Sequence, residues 1–415
     1  MDRVILHSDA NSFYISVESV YNPKLWHVPA AVAGSVEDRH GIILTKNQLA
    51  KKYKVQTGQA IWQAKQQCPN LVCVPPDYGL YVRFSRKMRQ IYEAYSDRVE
   101  SFGLDEAWID LSNPGVTIAD GERIAHEIRN RIREELGITV SVGVSFNKIF
   151  AKLGSDYQKP DAVTVISRDN YKDIVWSLPV SDLLYVGRST TKKLRDLNVQ
   201  SIGDLANFDM NIIEYKLGKV GLMLKCYAMG GDLSPVMPTN YNMAIKSVGN
   251  STTPPHDIEC MEDARCILYL LAESVAARLR GGGFHSRCIS ISARTTSLET
   301  NSRQRTIRMP TNITSEIART AIELFDDRFA KGFPYRSVGV SCSALSPDNE
   351  PVQLDLLGDE QSRMRQLQLE RSIDGLRKRF GHRVIQRGIV LMDKSYAQIN
   401  PVEEHTIHPV PFFAG

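Results

Sequence analysis

The amino-acid sequence predicts an α+β protein of several domains, and three observations predict it. At 415 residues the chain exceeds what one hydrophobic core supports, so roughly two to four domains are expected. Stretches with the period of strands are interspersed with stretches with the period of helices. Between Gly230 and Asn242 the run GGDLSPVMPTNYN has the Gly, Pro and Asn density of a linker, which divides the chain. The bulk numbers exclude other classes. With 42% hydrophobic and 24% charged residues, no apolar run approaches the roughly 20 residues that cross a bilayer. The amino end, MDRVILHSDANSF, carries acids at once and lacks the zones of an export signal, so a place inside the cell is expected. The seven cysteines show no C-x-x-C pair or zinc-ligand spacing and read as reduced, mostly buried small hydrophobes. A net charge of +4 favours an anionic partner only mildly, so the distribution of charge matters more than its sum.

Taken in order, Val4 to Leu6 begin a short apolar strand that ends at Asp9, where strand gives way to loop. From Gly41, GIILTKNQLAKKYKVQTGQAIWQAKQQCPN reads as a strand and two short helices, a small lobe joined to the strand core. Val99 to Leu111, VESFGLDEAWIDL, alternates about a central Gly-Leu-Asp-Glu and suits a hairpin with both carboxylates near its turn. Ala119 to Leu136 has the pattern of an amphipathic helix, and Thr139 to Val144 that of a buried strand leading into a helix start at Asn147 and Lys148. From Ser167 a run of short helices is broken at Gly187 and Gly203, and two helices joined by a glycine turn can aim backbone N–H groups at a phosphate. Beyond the linker, helical patterns at Met261 to Arg280 and Asn312 to Lys331 alternate with strand patterns at Ser286 to Thr295, Arg303 to Met309 and Ser337 to Ser343. A charged helix near Glu360 to Phe380 precedes a Pro-rich end.

The chemistry is expected at Asp9, Asp105 and Glu106. They converge only if the first strand packs beside the hairpin, and three carboxylates in one small volume raise each other's pKa unless a cation neutralises them. Mg²⁺ suits them, because it takes oxygen ligands and is shared with substrate phosphates. Two such ions about 4 Å apart stabilise the attacking and leaving oxygens of an in-line phosphoryl displacement, the chemistry of nucleotidyl transfer or phosphodiester hydrolysis.

Three blocks then decide between these. DANSFYISVE (Asp9 to Glu18), SFGLDEAWID (Ser101 to Asp110) and SVGVSFNKIFAKLGSDYQKP (Ser141 to Pro160) resemble, in order and spacing, the palm motifs of Y-family DNA polymerases of the bacterial type. The resemblance continues through the helix-hairpin-helix stretch, KSVGNSTT (Lys246 to Thr253) and a late QLDLL, so it covers nearly the whole chain. It implies a right-hand polymerase: a palm of mixed sheet and helices at 1–20 and 77–166, small fingers at 21–76, and a helical thumb at 167–235. A linker at 236–243, an α/β little finger at 244–346 and a tail from 347 complete it. The implied function is low-fidelity, translesion DNA synthesis from dNTPs on a primer-template, with two Mg²⁺ ions and Mn²⁺ able to substitute. Asp9 and Asp105 match the metal-binding aspartates and Glu106 the catalytic glutamate. Tyr14 falls at the steric gate, where an aromatic ring excludes a ribose 2′-hydroxyl, and Phe13 beside it floors the nucleotide pocket. Thr45, Asn47 and Lys51 fall in the fingers where the triphosphate is gripped, and Lys159 matches a palm lysine that contacts it. Gln48 stands where the family has tyrosine and Lys51 where it has arginine, which trades a bidentate fork for a point charge.

The DNA grip is expected from Arg188 in the thumb hairpin and from a run in the third domain. Arg278, Arg280, Arg287, Arg294, Arg303, Arg305 and Arg308 have only Glu299 among them, and such a run on alternating strands can face one way and neutralise a phosphate backbone. Gln353, Leu354, Leu356 and Leu357 resemble the peptide by which bacterial polymerases bind the sliding clamp, with Leu357 in place of the frequent phenylalanine. A monomer in the cytoplasm, at the nucleoid and not on a membrane, is implied. Two rivals stand beside this reading: a two-metal nuclease or cyclase on a similar sheet, and a catalytically silent DNA-binding accessory subunit.

Overall fold

The structure is a computed structural model that describes residues 2–35, 41–241, 244–350, 360–392 and 396. Its contacts divide the chain into two units, one built mainly from Met1–Ala33 and Ile42–Asn242, the other mainly from Met243 onward.

The first unit runs β1 (Ile5–Ala10), α1 (Phe13–Tyr21), β2 (Ala30–Ala33), β3 (Ile43–Lys46), α2 (Gln48–Lys52), α3 (Ile61–Gln67), β4 (Val72–Val74), α4 (Tyr78–Glu93), β5 (Val99–Ser101), β6 (Glu106–Asp110), α5 (Ile118–Leu136), β7 (Val140–Ser145), α6 (Lys148–Tyr157) and β8 (Val163–Ile166). Five strands pair in the order β5-β6-β1-β7-β8, with β1 antiparallel to both of its neighbours and β8 parallel to β7. Every residue of β1 is buried. A central strand covered on both faces should read apolar throughout, so His7, Ser8 and Asp9 are the exceptions that need a reason. The helix α4, absent from the sequence reading, is N-capped by Asp77 and buries Leu80, Tyr81, Phe84, Met88, Ile91 and Tyr92 along one face. A capping box of Thr117 and Asp120 starts α5. Gly143 permits close approach of α6 to β7, since a Cβ there would lie 1.9 Å from the carbonyl oxygen of Ala151. This contact sets Ser155 of α6 against His7 of β1.

The small lobe is a sheet in the order β3-β2-β4 whose core is Ala31, Ile43, Ala50, Val55, Ala64 and Leu71. A helical region follows: α7 (Tyr171–Val175), α8 (Arg188–Arg195), α9 (Ile202–Asn207) and α10 (Met210–Ala228), packed around Val180, Leu183, Leu194, Ile202, Leu205, Ile213 and Leu224. α10 is broken at Gly218, whose φ of 63° and ψ of −152° lie outside the helical range. The linker-like stretch is irregular but fastened to the sheet. Arg3 donates to the carbonyls of Asp232 and Ser234 at 2.8 and 2.7 Å, the amide of Met237 donates to Glu100 at 3.0 Å, and Val236 is buried with Ile5, Trp108 and Ala151.

The second unit runs β9 (Ser247–Thr252), α11 (Met261–Gly281), β10 (Phe284–Thr295), β11 (Thr300–Thr311), α12 (Thr314–Arg328), β12 (Tyr335–Pro347) and α13 (Glu360–Phe380). Its antiparallel sheet has the order β11-β10-β12-β9, and α11 and α12 cover one face over Ile289, Ile291, Val338 and Val340. The strand β9, within the KSVGNSTT stretch, pairs with β12. The tail helix α13 packs back on this unit. Glu370 accepts from Arg280 at 2.6 Å and from the amide of Thr314 at 2.9 Å, which caps the start of α12 from a different helix, while Glu273 binds Arg377 and Arg387. Among the described residues no helix is long and apolar enough to cross a membrane.

Candidate active site

The three acids meet at one end of the central strands. Asp9 of β1 stands opposite Glu106 of β6 in register, and the amide of Ala10 donates to the carbonyl of Asp105 at 3.0 Å. The turn before β6 passes through Gly103 with φ 89°, a left-handed conformation that glycine adopts freely, and it delivers Asp105 and Glu106 to that end. Cross-strand partners share a face, and residues two apart on a strand share it too, so His7, Asp9, Glu106 and Trp108 all point to the side covered by α6.

Lysines of α6 and the loop after it answer the acids. The Lys159 ammonium donates to Asp9 at 2.6 Å and binds Asp156 at 2.7 Å, and the Lys152 ammonium binds Glu106. The compensation is uneven. Burial and the charge of Glu106 outweigh Lys159 and push the Asp9 carboxyl up to about 6. Burial, then Asp9 and Glu106, push Asp105 up to about 7. Glu106 goes the other way: burial alone would raise it, but the hydrogen bond to His7 and the charge of Lys152 hold it down to about 2. Burial lowers His7, which has no exposed surface, to about 4. The site therefore holds more negative charge than its own cations neutralise.

A cation of the right chemistry fits this donor set. The acids supply hard oxygen ligands, and burial and neighbouring carboxylates drive two of them towards protonation. Among the described residues no three acids, histidines or cysteines form a ready ligand set. Asp9 is turned to Lys159 and Glu106 to Lys152 and His7, so lysine ammonium groups stand where positive charge is needed.

Tyr14, near the start of α1, is half-buried and stacked face to face on Tyr81 of α4, with ring centroids 4.3 Å apart, and Tyr78 meets it edge-on at 6.0 Å. Tyr81 donates its hydroxyl to Glu18 at 2.6 Å, which fixes the ring beneath Tyr14. These supporting tyrosines were not singled out in the sequence, although Leu80, Tyr81, Phe84 and Met88 show the helical spacing that would have found α4. Phe13 differs from expectation. Its ring is 2% exposed and packs in the core beside the five-stranded sheet with Tyr81, so it supports Tyr14 and does not line an open pocket.

In the small lobe, the Thr45 hydroxyl accepts from the amide of Ile15, tying β3 to the helix that carries Tyr14. Asn47 also departs from the expected grip on triphosphate. Buried at the N-cap of α2, it donates to the carbonyls of Leu25 and Val28 and accepts from the amides of Ala30 and Ala50, so its amide is fully used in holding the lobe together. Gln48 and Lys51 are exposed on one face of α2.

Arg188 opens α8, with Gly187 at its N-cap, and lines a shallow pocket of about 630 Å³ with Thr191, Lys192 and Arg195. The kink of α10 at Gly218 was not anticipated, although its signal, a glycine inside an otherwise helical run, stands in the sequence.

The arginine run of the second unit divides. Arg278 and Arg280 lie on α11 and not on the sheet: Arg278 donates to the carbonyl of Gly249, and Arg280 is buried against Glu370 and Asp374. Arg303 and Arg305 stand opposite the core residues Ile291 and Ile289, on the helix-covered side of the edge strand, and Arg305 pairs with Glu323 and Asp327 of α12. Arg294 and Arg308 fall on the other face by strand alternation, and the exposed Arg287 donates to the carbonyl of Arg308 beside a bulge. The run thus does not face one way, because its members sit at odd and even strand positions and on a helix. Gln353, Leu354, Leu356 and Leu357 lie outside the described residues.

Acids at the ends of central strands, a small sheet lobe inserted after the first helix and hairpin-joined helices behind are the parts of a polymerase-type hand. Residues 8–156 match the impB/mucB/samB family, and residues 245–356 match the C-terminal domain of that family. The chain is 49% identical over 399 residues to the DNA polymerase IV of Acetivibrio thermocellus, spanning 96% of this chain and 100% of that protein. It is 35% identical to DNA polymerase IV 1 of Bacillus subtilis, over 94% of this chain and 93% of the relative. A solved Y-family DNA polymerase chimera shares the fold, with a TM-score of 0.74 at 24% identity over 82% of this chain and 98% of that one. The chain belongs to the impB/mucB/samB family of Y-family DNA polymerases.

Proposed function

We propose that this chain synthesises DNA on damaged templates, transferring a nucleotide from a dNTP to a primer 3′-hydroxyl with low fidelity. The convergence of Asp9, Asp105 and Glu106, short of positive charge, in a member of this family carries the reading. In it, the three acids hold two Mg²⁺ ions, with Mn²⁺ able to substitute. When bound, such ions neutralise the acids and stabilise the attacking and leaving oxygens of phosphoryl transfer.

The chain's own residues do the rest. Lys159, released from Asp9, meets the triphosphate. Lys51, exposed on α2, adds a point charge that attracts phosphate without the bidentate hold of arginine. Thr45 joins the triphosphate grip while anchoring the lobe to α1. Tyr14, stiffened by Tyr81 and Tyr78, lies under the sugar and rejects a 2′-hydroxyl. Arg188, with Lys192 and Arg195, takes backbone phosphates, and Arg294 and Arg308 on the helix-free side of the second unit's sheet, with Arg287 beside Arg308, add a sequence-independent grip on the primer-template. The peptide from Gln353 to Leu357 binds a sliding clamp, and the protein works as a monomer at the nucleoid. The silent accessory-subunit reading gains no support from the relatives described above, each named a DNA polymerase.

Primer extension with Mg²⁺ and dNTPs across a panel of templates carrying defined lesions tests this reading. Extension past at least one lesion that stops a high-fidelity polymerase is expected. A folded, DNA-binding preparation that adds no nucleotide to undamaged template would contradict it.

A further inference from the structure

Directly behind Glu106 sits a polar side chain that the chemistry described so far does not use. His7 has no exposed surface and lies on β1, two residues before Asp9 and therefore on the same face. Its Nδ1 is 2.8 Å from the Ser155 hydroxyl on α6, and its Nε2 is 3.2 Å from Glu106 Oε2, in contact but not aligned as a full hydrogen bond. The indole of Trp108, opposite His7 in register, meets the ring edge-on at 5.1 Å. Burying both nitrogens of an imidazole costs free energy unless each is hydrogen-bonded, and a phenylalanine would fill the space without that cost. The ring is thus placed for its two polar contacts and not for its volume.

Those contacts bear on one atom of the site. Both His7 and Lys152 meet the same carboxylate oxygen of Glu106, Oε2, and among the described residues Oε1 has no bonded partner. Lys152 reaches it from a long flexible stem and can leave. His7 cannot, because its backbone is a buried central strand and Ser155 holds the far side of the ring. The Ser155 hydroxyl lies 2.8 Å from both His7 Nδ1 and the Lys152 carbonyl and has one proton to give; in the tautomer that donates from Nε2 to Glu106 it turns from that carbonyl to donate to Nδ1. We propose that His7, oriented by Ser155, is a positioning residue that fixes the Glu106 carboxylate by Oε2 and leaves Oε1 presented to the divalent ion. This rests on the polymerase reading of Glu106. Partners of this kind behind metal ligands are worth about 10- to 100-fold in affinity or activity.

The test uses the full chain with His7→Phe, His7→Gln and Ser155→Ala. It reads the maximal single-turnover rate, the dNTP affinity, the melting midpoint and Mn²⁺ binding, the last followed by electron paramagnetic resonance on a complex with dideoxy-terminated primer and dNTP. His7→Phe should slow the maximal rate and weaken Mn²⁺ binding, each by about 10- to 100-fold, with dNTP affinity and melting midpoint held. His7→Gln, which keeps a donor near Nε2, should recover most of both. Ser155→Ala should move both in the same direction by less. Wild-type rate and Mn²⁺ affinity in His7→Phe would overturn the proposal, and so would a loss that tracks a fallen melting midpoint and is not recovered by His7→Gln. If His7→Phe does not fold, Ser155→Ala decides, and unchanged rate and Mn²⁺ affinity there would overturn it. An inactive wild type would instead sink the polymerase reading itself.

Discussion

Two clusters in this protein are built from the same charged side chains and end in opposite states. Around α13, Arg280 and Glu370 are 5% and 3% exposed, and Glu370 accepts in addition from the amide and hydroxyl of Thr314 and from Gln366. Each charge there has partners fixed by neighbouring helices. At the ends of β1 and β6, by contrast, Asp9 and Asp105 are pushed up to about 6 and 7, since burial and like charge outweigh the lysines beside them. The first cluster is closed and holds a domain together. In the second, burial and like charge are not offset by the neighbouring lysines, which is the mark of a candidate site.

That contrast can be broken by substitution. The largest effect is expected for Asp105→Asn, which should lower the single-turnover extension rate by several kcal/mol of lost charge stabilisation, on the order of a thousandfold. Glu370→Ala should instead leave the chemistry alone and cost about 1–3 kcal/mol in denaturant unfolding, because Arg280 loses one of its two carboxylate partners and the amide of Thr314 loses its cap. A Glu370→Ala protein as stable as wild type would show that the tail cluster is not closed. Next, Tyr14→Ala should raise ribonucleotide use relative to dNTP by about 10- to 100-fold, the worth of about 1–3 kcal/mol of steric exclusion. An unchanged ratio in competition assays would remove the gate from Tyr14. The smallest effect sharpens the contrast within the arginine run. Arg294→Ala, on the helix-free sheet face, should weaken DNA binding and reduce the slope of log affinity against log salt by about 0.9. Arg305→Ala should change that slope less, as its guanidinium is held by Glu323 and Asp327.

Much of this was legible in the sequence, and the rest was hidden for identifiable reasons. The acidic strand end, the Gly-Leu-Asp-Glu hairpin and the α11 and α12 helices follow from local period and turn chemistry, which a chain displays directly. The closeness of Asp9 to Glu106 needed only the pairing of β1 with β6. Partnership across elements was not visible. Asn47 looks like a lobe residue available to ligand until its four bonds inside the lobe are seen, and Arg280 looks like one more basic residue until α13 supplies Glu370 and Asp374. The alternation of Arg303 and Arg305 onto the covered face depends on register and on the bulge between Ser286 and Cys288. The strand β9 and the kink at Gly218 were missed because Gly, Asn and Ser interrupt the strand pattern of the first and a lone Gly only weakens the helical pattern of the second.

The central claim is that burial and like charge among the acids at the ends of β1 and β6 outweigh the lysines beside them. Asp105 binds its proton more tightly folded than unfolded, so it opposes folding increasingly as pH rises from about 4 to about 7, and a neutral side chain at that position escapes the penalty. Melting wild type and Asp105→Asn at pH 7.5, with and without Mg²⁺, measures this directly. The account predicts that the metal-free variant melts at or above wild type, and that Mg²⁺ raises the wild-type midpoint more than the variant's. A variant that melts lower without metal, with equal Mg²⁺ shifts in both proteins, would contradict it.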